Sequence, residues 1–318
     1  MMRWLFSVLA PAATGRLSVL IFHRVHAQPD PLFPGEVHAR LFDQQMGWVK
    51  RWFNVLPLAL AVEGLKSGNL PARSAVITFD DGYADNRTVA LPILKAHGLK
   101  AAFFIATGFL DGGRMWNDTL IETVRACRTP RLDLRELGFD DYPVDSVEQR
   151  RAAIAALIGR LKYIEPATRL EQVNAIARSA NVVLPDDLML TSAQLREMAQ
   201  AGMTIGGHTV NHPILARLSE TEALSEMVEG KRALERIVEA PVRFFAYPNG
   251  KPNEDYTAAH VRLAREAGFE AALSTAWGAA ATGCDLYQIP RFSPWDKTRL
   301  RYGLRLAGNL RRADYARA

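Results

Sequence analysis

The sequence predicts an α/β fold built on a parallel sheet, open or closed into a barrel. Three observations carry that prediction. Apolar runs of strand length recur along the 318-residue chain, and helical patterns lie between most of them. Nearly every side chain able to do chemistry comes directly after the end of such a run, as in β/α barrels, whose active sites are built from the loops at the C-terminal face. No internal repeat or low-complexity tract competes with this reading.

Taken in order, the first run is Leu17–Phe22, ending at His23. Phe53–Leu56 reads as an extra, peripheral strand. Ala75–Phe79 ends at Asp80 and Asp81. Thr88–His97 is patterned as a helix and closes on Gly98, a residue that readily takes the left-handed conformation of a helix stop. Ala101–Ala106 leads into Thr107 and Gly108. From Met115 to Pro185 no strand is legible; two or three helices are expected, one over Ser146–Leu161, as an insertion across about 112–200 rather than a separate domain. Thr191–Ala201 is a helix closed by Gly202, and Met203–Gly207 a short strand ending at His208. Ser219 and Glu222 form a capping box opening a long helix to about Glu239. Val242–Ala246 ends at Tyr247 and Pro248, Asn253–Ala267 is a helix closed by Gly268, and Glu270–Leu273 ends at Ser274, Thr275 and Trp277. Leu286–Pro290 is the last strand, ending at Arg291. One barrel domain over 1–296 and a basic tail over 297–318 are expected.

Hydrophobic residues make up 48% of the chain, enough for a sizeable core. Two cysteines, Cys127 and Cys284, are too few for a disulfide framework. The net charge is +5 and the isoelectric point about 9.3, but the basic residues are dispersed and no nucleic-acid motif appears, so no nucleic-acid partner is expected. The tail is the exception. Lys297, Arg299, Arg301, Arg305, Arg311, Arg312 and Arg317 gather among Leu300, Leu304, Leu306 and Leu310, the pattern of a basic amphipathic helix. Either one stripe of it packs on the barrel and the rest is solvated, or it makes peripheral contact with anionic lipid. Arg3 followed by the apolar run Trp4–Ala13 resembles a weak signal peptide, and no stretch approaches the 18 apolar residues of a membrane span. A location in the cytoplasm or peripheral to the inner membrane is expected.

The chemistry begins at Thr78-Phe79-Asp80-Asp81-Gly82-Tyr83. Two adjacent carboxylates at a strand end repel each other, and a divalent cation on one relieves the repulsion. The other is then free to act as a general base toward a water acidified by that cation. Gly82 permits the sharp turn that aims both side chains. In isolation Asp-Asp-Gly is an ordinary turn. The context is His208-Thr209-Val210-Asn211-His212-Pro213, where the two histidines share one face if the turn is helical. Asp81, His208 and His212 then make a two-histidine, one-carboxylate set. It suits Zn²⁺, and also Ni²⁺, Co²⁺ or Fe²⁺.

On these motifs, in this order and on this background, the sequence resembles the polysaccharide deacetylase family, the carbohydrate esterases of family 4 with homology to the nodulation chitooligosaccharide deacetylase. The resemblance runs from about Ser18 to Pro294, apart from the insertion. It implies a distorted (β/α)7 barrel, NodB-like, with a helical insertion. It also implies Asp80 as catalytic base, Asp81, His208 and His212 as metal ligands, and removal of N-acetyl groups from the amino sugars of a polysaccharide or glycoconjugate.

Two departures from the family pattern stand out. Phe245-Ala246-Tyr247-Pro248-Asn249-Gly250 replaces the usual Arg-x-Pro-Tyr, so Ala246 stands where an arginine would orient the base. The oxyanion-stabilising backbone N–H maps to Asn249, and a backbone donor survives a change of side chain. The histidine normally supplied near the C-terminus is missing, since none follows His260. His23 resembles instead the general acid of circularly permuted members that act on poly-N-acetylglucosamine; the alternative is a buried structural histidine. Arg291 is a candidate for the vacant arginine role, or else a surface arginine paired elsewhere. Tyr83, Trp116, Tyr247, Pro248 and Trp277 are candidate sugar contacts, with core packing as the alternative for the tryptophans. The rival functions are a deformylase or other amide hydrolase acting on a lipid-linked amino sugar, and a catalytically inactive carbohydrate-binding relative.

Overall fold

A computed structural model describes residues 15–312 and 314–318. The signal-like run Trp4–Ala13 lies outside them. Parallel strands alternate with helices: β1 (Arg16–Phe22), α1 (Ala39–Trp52), β2 (Asn54–Val55), α2 (Leu58–Ser67), β3 (Ser74–Phe79), α3 (Leu91–His97), β4 (Ala102–Ile105), then the insertion, then α7 (Ser192–Gln200), β7 (Thr204–Gly207), α8 (Glu220–Val238), β8 (Phe244–Ala246), α9 (Ala258–Glu266) and β9 (Ala271–Leu273). The sheet order is β1-β3-β4-β7-β8-β9, all neighbours parallel, with β2 paired to β3 and the short β10 (Ala280–Ala281) antiparallel on β1. The chain ends in α10 (Arg299–Arg311), laid against β1 and α1.

The expected last strand differs from its prediction. Leu286–Gln288 is a 3-10 turn, and the backbone becomes extended only beyond it. There Ile289 bridges Leu273 of β9 and Phe292 bridges Leu20 of β1, both in parallel. Segment 289–292 is therefore the seventh stave, and it closes the curled sheet through isolated bridges rather than a full ladder.

Strand side chains alternate between the two faces of a sheet. Leu17, Val19, Val76, Ala102, Phe104, Phe244, Ala246, Leu273 and Ile289 form one buried cluster, the lumen. Ala75, Ile77, Phe79, Phe103, Ile105, Phe245, Tyr247 and Phe292 belong to a second, between sheet and helices. This two-residue period puts Thr78 and Asp80, following Val76, on the lumen side. It puts Arg291, following Ile289, there as well.

The insertion has its own apolar core, including Leu120, Leu132, Tyr142, Leu157 and Ile176. It holds α4 (Trp116–Ala126), α5 (Val147–Leu161) and α6 (Pro166–Ser179), and also an antiparallel hairpin, β5 (Arg131–Asp133) with β6 (Asp141–Pro143). The reading of this region as purely helical is corrected. Three-residue strands are too short to show an alternating pattern. Helices α1 and α2 went unread for a different reason: neither opens with a side-chain cap.

Candidate active site

Asp80 and Asp81 leave the end of β3, and the backbone turns at once: Asp81 has φ 78° and Gly82 φ 91°. Aspartate tolerates this left-handed region better than most residues, and glycine best. The turn is braced from outside, with Leu190 N donating to Gly82 O and Ala84 N to Leu188 O. Asp80 continues the ladder through Asp80 N to Phe22 O, so His23 sits beside it at the end of β1. His23 itself is exposed, which sets aside its reading as a buried structural histidine.

Asp80 points into the lumen and meets Arg291, which is fully buried. Nη1 donates to Asp80 Oδ1 at 2.6 Å and Nη2 to Oδ2 at 2.7 Å, while Nε donates to Ser274 O at 2.9 Å. A planar guanidinium matched to both carboxylate oxygens is the strongest geometry such a pair can take. Burial pushes the Asp80 carboxyl up, but Arg291 and then His208 outweigh it and hold it below the usual carboxylate range.

Asp81 turns toward the histidines. Its Oδ1 lies 3.5 Å from His208 Nε2 and 3.4 Å from His212 Nε2. One ligand atom from each of Asp81, His208 and His212 lies within 4.8 Å of the others. His208 Nδ1 is 2.7 Å from Ala246 O, a contact that fixes the proton on Nδ1 and leaves Nε2 as a lone pair. Asp81 Oδ1 is buried and has no hydrogen-bond partner among the described residues. A buried carboxylate oxygen is expensive to leave unpaired. With two imidazole nitrogens facing it, this donor set fits a divalent cation of borderline softness. Burial depresses His212 to about 4. Burial opposes protonation of His208 too, but Asp80 and Asp81 raise it.

The histidine pair does not lie on a helix, correcting that expectation. Residues 208–214 form a loop in which Thr209 has φ 68° and His212 φ 51°. The rings still converge, with centroids 4.8 Å apart. What holds the loop is Glu226, on α8. Oε2 accepts from Val210 N and Asn211 N, both at 2.8 Å, and Oε1 from Asn211 Nδ2 at 2.8 Å. Gly230, one turn along α8, lets the helix approach: a Cβ there would sit 2.8 Å from Thr209 O. Sequence reasoning missed both residues. The only signal was their place on the helix that follows the histidines.

The other candidates are dispersed. Asn249 is exposed, at φ 57°, in the loop after β8. Tyr83 is buried; its hydroxyl donates to Asp118 Oδ1 at 3.2 Å, and the Arg24 guanidinium lies 4.7 Å over its ring. Tyr247 is corrected as a sugar contact. It faces outward, fully buried, stacked on Tyr256 at 3.9 Å, with its hydroxyl donating to Tyr287 O. Pro248 beside it is buried too. Trp116 packs on the insertion core beneath Arg169. Trp277 is exposed and lies against Phe292 and Trp295. A cleft of about 220 Å³ is lined by His23, Arg24, Glu36 and Trp295.

A family model described as polysaccharide deacetylase matches residues 67–130 and 136–272, well over half of the chain. The protein YxkH of Bacillus subtilis (strain 168) is 23% identical over 278 residues, 87% of this chain and 70% of that one. Among solved structures, the Streptococcus pyogenes deacetylase PplD, in complex with acetate, matches with a TM-score of 0.59 at 23% identity, covering 87% of this chain and 92% of that one. IcaB from Ammonifex degensii matches with a TM-score of 0.59 at 19% identity, covering 91% and 97%. At these identities the structures speak for the shared barrel.

Proposed function

The chain belongs to the polysaccharide deacetylase family, and from that premise we propose that it hydrolyses the N-acetyl groups of amino sugars in a polysaccharide or glycoconjugate, with Asp80 as base and His23 as acid. The observation that carries the reading is Asp81 Oδ1, buried, unpartnered and within 3.5 Å of two imidazole nitrogens, next to a second carboxylate committed to an arginine. Asp81, His208 and His212 would hold a divalent cation, Zn²⁺ first on its preference for this donor set, with Ni²⁺, Co²⁺ and Fe²⁺ as alternatives. When bound, that cation supplies Lewis-acid polarisation and a lowered water pKa.

The chain's own residues do the rest. Arg291 keeps Asp80 ionised and aimed, so Asp80 takes the proton of the attacking water. The Asn249 N–H donates to the oxygen on which negative charge develops. His23, which follows β1 next to Asp80, gives a proton to the departing amine. Acetate and a free amino sugar result.

Acetate release from N-acetylglucosamine oligomers, measured beside metal content, tests this. Asp80→Asn is expected to keep the metal and lose turnover. His23→Ala is expected to keep the metal and lose rate by roughly 10²–10⁴, the usual range for general acid–base catalysis. Full turnover in Asp80→Asn would remove it from the mechanism. A second reading, deformylation of a lipid-linked amino sugar, draws on the basic outer face of α10 and is separated by which acid appears, formate or acetate.

A further inference from the structure

The basic excess of this chain is concentrated in and around α10. Lys297, Arg299, Arg301, Arg305, Arg311 and Arg312 fall within sixteen residues, so the rest of a chain of net charge +5 is close to neutral. Of these, Arg305 is paired with Asp296, just before the stretch. Within α10, Tyr302, Leu306 and Leu310 are buried against the barrel. Leu300 and Leu304, one turn apart, are 58% and 48% exposed. Before the helix, Trp295 and Trp277 are 45% and 41% exposed, with ring centroids 5.0 Å apart. The Arg305 guanidinium lies 3.8 Å over the Trp295 ring and joins this aromatic shelf to the helix.

Packing of one stripe on the barrel accounts for the buried side of α10 and leaves the outer side unexplained. Single exposed leucines are ordinary, and others such as Leu60 and Val183 lie on separate elements. Two exposed leucines one turn apart among exposed arginines, on a helix that Arg305 joins to an exposed tryptophan pair, are not single scattered side chains. A nucleic acid would satisfy the cations and leave Leu300 and Leu304 in water. A glycan would stack on the tryptophans without using the charges. An anionic bilayer uses all three: phosphate headgroups for Lys and Arg, the interface for Trp, and the acyl boundary for Leu.

We propose that the outer face of α10, with the Trp277–Trp295 shelf, docks this protein on an anionic lipid bilayer. The contact is peripheral, since the other side of α10 is packed on the barrel; no helix among the described residues is long and apolar enough to cross a membrane. Trp295 also lines the cleft that contains His23. Docking therefore brings that cleft to the headgroup layer, within reach of a sugar carried on a lipid. The inference goes beyond the deacetylase reading and stands without it, since binding is measured with no sugar present.

Flotation of the full chain with vesicles of phosphatidylcholine, with and without phosphatidylglycerol, tests it. The wild type is expected to float with the anionic vesicles and stay behind with the neutral ones. Leu300→Ser with Leu304→Ser, and separately Arg301→Glu with Arg312→Glu, are expected to lower partition at least about tenfold. All four positions are exposed, so melting temperature and activity on soluble oligomers should match the wild type. Absence of wild-type flotation, equal flotation on neutral vesicles, or unchanged partition in both double variants would overturn the proposal. So would binding that depends on residues 1–14 and ignores the α10 variants.

Discussion

A fully buried guanidinium is tolerated only where its donors are taken up, and Arg291 spends them on Asp80 and Ser274 O. Removing it strands the Asp80 charge in the lumen. Arg291→Met is therefore expected to destabilise the protein by about 3–5 kcal/mol, the cost of breaking a buried pair from one side. The urea midpoint would show it, and an unchanged midpoint would mean the pair is not buried in solution. Asp118 is the opposite case. It is 4% exposed, and its Oδ2 has no partner among the described residues. Burial, reinforced by Asp81 and Glu122 against the pull of Arg24, pushes its carboxyl up to about 7. Between pH 4 and 7 the folded state thus holds a proton here that the unfolded chain has released, so stability falls as pH rises through that window. In chelated protein, Asp118→Asn should exceed the wild type at pH 8 by on the order of 2–4 kcal/mol and match it below pH 4. A constant difference across this range in urea melts would refute the assignment. Asp80, Asp81 and the histidines were legible because chemistry needs those residue types at strand ends. Asp118 was not, since its character comes from its burial within an insertion whose packing no local pattern reveals.

At the level of elements, the metal loop shows where a local reading stops. The i and i+4 spacing of His208 and His212 suggested a helical turn, yet Thr209, a β-branched residue, sits at φ 68°. A conformation like that costs on the order of 1–3 kcal/mol and persists only where surroundings impose it. Here they are Glu226, which takes three N–H donors of the loop, and the close approach allowed by Gly230. Glu226→Ala should leave α8 formed, because the side chain bonds to the loop and not within its helix. It should weaken metal affinity by about 10–100-fold, as loss of outer-shell support commonly does. Titration with Zn²⁺ in the presence of a competing chelator reads this directly, and wild-type affinity would show that the histidines hold themselves. The closing stave was read a few residues too early, at Leu286–Pro290 instead of 289–292, for a related reason. Its partners are residues in β1 and β9, far apart in sequence, and its pairing is two isolated bridges with no ladder to impose an alternating pattern.

On the scale of the whole molecule, the alternation of apolar runs with helical patterns was legible because a parallel sheet buried on both faces demands continuous apolar strands. What it could not show is how the site ties the barrel together. Asp81 follows β3, while His208 and His212 follow β7, and β4 lies between those strands. A cation shared by the three would staple non-adjacent staves at the end of the sheet, and would replace the repulsion between Asp80 and Asp81 with attraction. Because the unfolded chain has no such cluster, binding adds to stability by mass action, about 2.7 kcal/mol at a hundredfold excess over the dissociation constant. In a chain of this size each kcal/mol is worth roughly 2–4 °C of melting temperature. Chelation should therefore lower the thermal midpoint by roughly 5–10 °C, and restoring Zn²⁺ should recover it. In His208→Ala the two midpoints should coincide, because one arm of the staple is gone. A chelator shift that survived in that variant would place the stabilising cation somewhere other than this cluster.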